Sequence, residues 1–108
     1  TRKESSAASD VYKRQTEGSA KMLGRSDIGS LVVGKQADIA FFKLDEMRFS
    51  GSHDPLAALL LCGAHQAEHV MVAGRWRVKK GLIEGLDVSP LLQQHGAAAK
   101  ALAAKISW

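Results

Sequence analysis

Residues 28–44, IGSLVVGKQADIAFFKL, decide the fold: short apolar pieces parted by Gly29 and Gly34 lead into an unbroken run of strand length from Ala37 to Leu44. Aliphatic and aromatic residues in a run too short for a helix predict a buried strand. The glycines ahead of it predict tight turns. Further on, residues 68–80, EHVMVAGRWRVKK, place Val70 and Val72 on one side of Ala73-Gly74 and Trp76 and Val78 on the other. That alternation predicts a hairpin about a glycine turn with those four side chains directed to a core. Leu82-Ile83, between Gly81 and Gly85, reads as one more short strand.

Helices flank these strands. Glu17 to Leu23, with Ala20, Met22 and Leu23, stops at Gly24, a residue able to enter the left-handed region that closes helices. Asp54 before Pro55 supplies a cap and a first-turn proline, and Leu56 to Cys62 runs on apolar to Gly63, predicting a short, largely buried helix at 54–63 with Cys62 as a buried thiol. Ser89-Pro90 repeats the signal and opens an alanine-rich helix through Ile106. Leu91, Leu92, His95, Ala99, Leu102 and Ile106 share one face of it, which needs a surface to dock on.

At 108 residues, 45% hydrophobic and 24% charged, the chain has globular composition and the size of one small domain or a piece of one. Half of the net charge of +4 sits in residues 1–15, where Arg2, Lys3, Lys13 and Arg14 face Glu4 and Asp10. The remainder is nearly balanced, so neither a nucleic acid nor a membrane surface is an expected partner. One cysteine cannot make an internal disulfide, which fits a reducing, cytoplasmic setting. No apolar run reaches membrane-span length, and residues 1–15 lack the apolar centre of an export signal.

Residues 1–15, TRKESSAASDVYKRQ, show no helical or alternating period and read as an unstructured tail. Asp10 to Gln15 is also the translation of GATGTGTATAAGAGACAG, which resembles the end of a transposase adapter used in preparing sequencing libraries. The expectation is a non-native, adapter-derived stretch outside the fold.

Three motifs suggest chemistry. Gly29 to Lys35 matches the first seven positions of G-x-x-x-x-G-K-[ST], but Gln36 offers no hydroxyl for magnesium and a strand, not a helix, follows. His65-Gln-Ala-Glu68-His69 fits H-x-x-E-H, in which two histidines one helical turn apart bind zinc; Gly63 before it and the Val70-Met71-Val72 run after it favour a loop entering a strand. Cys62 near His65 could form an activated thiol, and a buried structural cysteine is the plainer reading. His53 and Asp54 read as cap residues. Accordingly, no catalytic, metal or substrate-binding residue is assigned.

Thr16-Glu-Gly-Ser-Ala-Lys-Met-Leu-Gly24, then Ile28 to Ile39, then Val70-Met-Val-Ala-Gly74-Arg75 together resemble the C-terminal end of metal-dependent amidohydrolases of the cytosine-deaminase and chlorohydrolase type, over about residues 16–106. Within that family, Phe49 to Gly63 and Gly74-Arg75-Trp76 look most like the 8-oxoguanine deaminases and hydroxyatrazine ethylaminohydrolases. The resemblance implies an α+β fragment: strands of a composite β domain and flanking helices from the end of a TIM-barrel enzyme. Residues 16–24 would end the last barrel helix, 25–87 would form the composite β domain with helix 54–63 inserted, and 88–108 would be a C-terminal helix. It further implies that one Zn or Fe ion, bound by barrel residues absent here, activates water to deaminate a purine-like heterocycle. A barrel needs roughly 250 residues, so the implied partner is the barrel of the same protein and the fragment itself is expected to be inactive. The rival readings are an s-triazine aminohydrolase, a free-standing non-catalytic β module that binds a protein, and a zinc module built on His65 and His69.

Overall fold

The computed structural model describes residues 2–106. Thr1 of the expected tail and residues 107–108 of the expected last helix lie outside the described residues. The order of elements is α1 (Arg2–Lys13), a π-helical turn (Arg14–Gly18), α2 (Ser19–Met22), β1 (Ile39–Phe41), a 3-10 turn (Met47–Phe49), α3 (Pro55–Cys62), β2 (His69–Val72), β3 (Arg75–Lys79), β4 (Leu82–Ile83) and α4 (Val88–Ala103). The four strands form one antiparallel sheet in the order β1-β2-β3-β4.

The first correction concerns residues 1–15, which are helical from Arg2 rather than irregular. Ala8, Val11 and Tyr12 stand at helical spacing, and α1 packs on α3 with Ala8 buried, so a tertiary contact supplies what the weak local pattern does not. The helix widens by one turn at Arg14–Gly18, where the hydroxyls of Thr16 and Ser19 donate back to the carbonyls of Tyr12 and Arg14 at 3.1 and 3.3 Å. It ends in a Schellman arrangement: Gly24 has φ +68°, its N–H donates to Lys21 O, and Arg25 N–H donates to Ala20 O, both at 3.0 Å.

The second correction concerns burial. The expected strand from Ala37 to Leu44 pairs only over Ile39–Phe41, and Ala40 and Phe41 are exposed. Helix α3 has its cap as expected, with Asp54 Oδ1 accepting from Leu56 N–H at 3.0 Å and Ala57 N–H at 3.1 Å, but it buries only Ala58. Leu61 is 86% exposed and Cys62 is exposed rather than a buried thiol. The β2–β3 hairpin forms as expected, turning at Ala73 and Gly74, both with positive φ as a type I′ turn requires. Its side chains are not core, however: Trp76 is 39% exposed and Val72 is exposed.

The last helix starts earlier than Ser89-Pro90 indicates. Asp87 is its cap, accepting from Ser89 N–H at 3.0 Å, and Pro90 lies inside the first turn. None of its residues is buried, so among the described residues its apolar face has no covering surface.

One physical reason covers these departures. Among the described residues only Ala8, Ala20, Phe49 and Ala58 are buried. The radius of gyration is 19.1 Å, against about 13 Å for a compact domain of this length. The accessible surface is 9045 Å², against about 5,800 Å² for a folded monomer of this mass. The elements are formed, but among the described residues they enclose little core.

Candidate functional site

The loop that resembles a phosphate cradle is built for its own closure. Gly29 (φ +96°) and Gly34 (φ +93°) turn the backbone, and Lys35 Nζ donates to Ser30 Oγ at 3.0 Å instead of pointing at open space. Asp27 ties the two ends together: its carboxylate takes Arg25 Nε at 2.9 Å and Gln36 Nε2 at 2.6 Å, and its carbonyl takes Gln36 N–H at 2.8 Å. The Arg25 hydrogen bond, helped by that from Gln36, pulls the Asp27 carboxyl down to about 2. The guanidinium is pushed up in return, chiefly by the same bond. No helix follows Lys35, so no helix terminus is available to hold a phosphate there.

The H-x-x-E-H stretch is not helical. His65 lies in irregular chain folded back over Gly63, where an added Cβ would sit 2.7 Å from His65 Cε1. His69 opens β2, and its Nδ1 accepts from Lys80 N–H at 3.2 Å, holding the imidazole between Phe41 and Trp76 with ring centroids 6.1 and 5.9 Å away. The side chain works as a sheet fastener. Glu68, the third member of the pattern, pairs with Lys43 at 3.3 Å. Asp54 is occupied by the α3 amides, and His53 is exposed beside it. Among the described residues no three His, Cys, Asp or Glu side chains gather as a metal site.

A connection with no local signal joins the two stretches quoted at the outset. Asp38 Oδ1 accepts from Ala73 N–H at 2.7 Å, and Ala37 O accepts from Gly74 N–H at 3.0 Å, so the carboxylate at the start of β1 fastens the β2–β3 turn 35 residues away. The Ala-Asp pair is visible in the sequence, but its partner is a backbone amide, which no residue type reveals.

A concavity of about 550 Å³ lies between the helical stretch from Tyr12 to Leu23, Ile28–Leu31, β1 and α3. Its walls include Leu23, Ile28, Leu31, Phe42, Leu59 and Leu60, and Asp38 is its one charged lining residue. Tyr12, Gln15, Thr16, Ser19, Ser30 and Gln36 line it as well, so the groove is mixed in character, and its lining holds no paired acid and base for a reaction.

No family model matches the chain. In fold it matches crystal structures of amidohydrolases: the zinc-complexed atrazine chlorohydrolase of Arthrobacter aurescens (TM-score 0.72, 34% identity, 83% of this chain and 20% of that one) and a zinc-bound adenosine deaminase of Xanthomonas campestris (TM-score 0.73, 28% identity, 90% of this chain and 23% of that one). The chain is thus an α+β segment of the amidohydrolase family. Among curated proteins it is 66% identical over 89 residues to the 8-oxoguanine deaminase of Pseudomonas aeruginosa, 82% of this chain and 20% of that protein. It is 35% identical over 83 residues to an isoxanthopterin deaminase of an unknown prokaryote, 76% of this chain and 17% of that one. The chain spans about a fifth of the length of the relatives it matches. Among the described residues, no helix is long and apolar enough to cross a membrane.

Proposed function

We propose that this segment belongs to a hydrolase of non-peptide C–N bonds that removes the exocyclic amine of a purine-like heterocycle, as the 8-oxoguanine deaminase it resembles is named for doing. The 66% identity over 89 residues carries this reading. In it, residues 16–24 end the last barrel helix, 25–87 form the composite β domain, 88–108 form the C-terminal helix, and 1–15 are adapter-derived. The segment's part is structural: its charged groups fasten loops and strands, and the reacting groups stand on the barrel. Zinc or iron, which would lower the pKa of a bound water, finds no fitting ligand set among the described residues, so no step through a metal is assigned to them. The expected setting is cytoplasmic, and the expected partners are the parent's own barrel and a small heterocycle.

The triazine hydrolase likeness, 34% identical, supports a second reading in which an s-triazine such as hydroxyatrazine loses an amine. The test is to recover the reading frame upstream of Thr16 and express the complete protein. Ammonia release from 8-oxoguanine exceeding that from isoxanthopterin, with no amine released from hydroxyatrazine, is the expected result. Preference for the triazine would select the second reading. A native start codon ahead of Thr1 with no barrel upstream would leave a free-standing β module.

A further inference from the structure

Two turns of the sheet hold a residue with a side chain in the left-handed region, Ala73 and Lys80, both at φ +50°. Such a backbone is uncommon outside glycine and persists where something beyond the turn fixes it. At both places a side chain accepts from the strained residue's N–H. Asp38 Oδ1 takes the Ala73 amide at 2.7 Å, and His69 Nδ1 takes the Lys80 amide at 3.2 Å. The two acceptors differ in their chemistry. Carboxylates go on accepting in mildly acidic solution, whereas an imidazole that gains its second proton there carries donors on both nitrogens and accepts nothing.

The surroundings of His69 commit its ring to that one bond. Phe41 of β1 pairs directly with it, and a register shift between Val70 and Met71 brings Trp76 of β3 alongside, with ring centroids 6.1 and 5.9 Å from the imidazole. Because Nδ1 accepts, the single proton of the neutral ring sits on Nε2. The charged side chains on the elements packed about it are Lys43 past β1, Arg75, Arg77 and Lys79 on β3, Lys80 in the turn, Glu84 past β4, and Glu68 beside it on the chain. Of these, Glu68 is already paired with Lys43 at 3.3 Å, and Lys79 Nζ stands 5.7 Å from the centroid of the Trp76 ring. A proton added at Nδ1 therefore sets N–H against N–H in a turn bordered mainly by cations, and the turn has to give.

What hangs from the turn gives its release a consequence. The next amide, Gly81 N–H, bonds to Glu68 O at 2.9 Å, and β4 pairs with β3 at only two positions, Val78 with Ile83 and Lys79 with Leu82. Residues 84–86 then lead to the Asp87 cap and α4, none of whose residues is buried. We propose that His69 is a proton-sensitive pin on the β3–β4 turn. The neutral imidazole holds Lys80 in the left-handed region; the protonated one lets the connection that carries α4 loosen, while the Asp38 clasp on the β2–β3 turn stays shut. The inference stands on the sheet alone and needs nothing from the deaminase reading.

The test follows hydrogen exchange at the Lys80 and Ala73 amides between about pH 8 and about pH 5, each rate taken relative to an unstructured peptide at the same pH, while NMR follows the His69 ring. It is run on the 108-residue chain and on the P. aeruginosa deaminase with its 89 matched residues exchanged for those of this chain, the larger protein deciding should the sheet be unprotected in the smaller. The expected result is a proton on Nε2 at the upper end of the range. Protection of Lys80 then falls about tenfold with the same midpoint as the His69 ring, and Ala73 is unchanged. His69→Asn, which keeps an acceptor without titrating, is expected to leave Lys80 protected throughout; His69→Phe, which keeps a ring without an acceptor, is expected to leave it unprotected throughout. Protection of Lys80 that ignores the His69 titration overturns the proposal, as does a proton found on Nδ1 at the upper end. A fall that Ala73 shares, or that persists in His69→Asn, reports a general loosening in acid and overturns it too. Should His69→Asn not fold, the comparison of Lys80 with Ala73 in the unsubstituted protein decides by itself.

Discussion

Single residues hold this segment together through backbone groups. Asp54→Ala removes the acceptor of two α3 amides, and in a chimera of the P. aeruginosa deaminase whose 89 matched residues are exchanged for those of this chain it is expected to cost about 1 kcal/mol, with Asp54→Asn retaining most of the stability, measured by urea unfolding. Asp38→Ala frees the Ala73 amide, whose hydrogen exchange should quicken at least tenfold while exchange along α3 stays unchanged. Asp27 titrates at about 2 because Arg25, then Gln36, binds its ionised form. A depressed carboxyl contributes stability above its unfolded value, lost as pH falls through the folded one. The clasp's contribution is therefore complete above about 3.8 and is lost as pH falls from there through about 2. The Asp27 carboxyl carbon, followed by NMR, should titrate near 2, and Arg25→Ala should return it toward 3.8. The cap at Asp54 is readable in the sequence because cap and proline are adjacent. The clasp at Asp38 is not, since its partner is an amide 35 residues on.

Elements differ in how far they depend on others. The hairpin and the β3–β4 connection carry their own turns, Ala73-Gly74 and Lys80-Gly81, with positive φ at all four positions. The glycine in each turn is a local signal, but the positive φ of Ala73 and Lys80 is held from outside the turns, by Asp38 Oδ1 accepting from Ala73 N–H and His69 Nδ1 accepting from Lys80 N–H. Helix α2 and the following loop need each other: a Cβ at Gly29 would meet Ala20 Cβ at 2.8 Å and Thr16 O at 3.2 Å, in a backbone with φ +96°. Gly29→Ala is expected to destabilise the chimera by about 2 kcal/mol, through crowding and a conformation alanine resists, whereas Gly34→Ala, with open space around it, meets the backbone strain alone. Helix α4 has sixteen residues, Gly96 within it and no cover, so its helicity in the 108-residue chain rests on weak local propensity. Amide exchange should find α4 nearly unprotected there and protected in the chimera; equal protection in both would show that it needs no partner.

At the scale of the whole molecule, the four buried residues among those described cannot offset the ordering of about a hundred. The 108-residue chain is expected to bind a hydrophobic dye and to melt without a cooperative transition; a sharp, dye-free transition would favour the free-standing module. Sequencing the source DNA across Gln15–Thr16 tests the other boundary, since a native frame continuing upstream of Thr16 makes residues 1–15 foreign. By itself the sequence determined what depends on neighbours along the chain: where glycines turn it, where Asp54-Pro55 starts a helix, the hairpin, and the family through its ordered motifs. Only the tertiary structure decided burial, the helix at residues 2–13 and the cap at Asp87. Periodicity shows which side of an element is apolar, but not whether the surface that would cover it lies in the same chain.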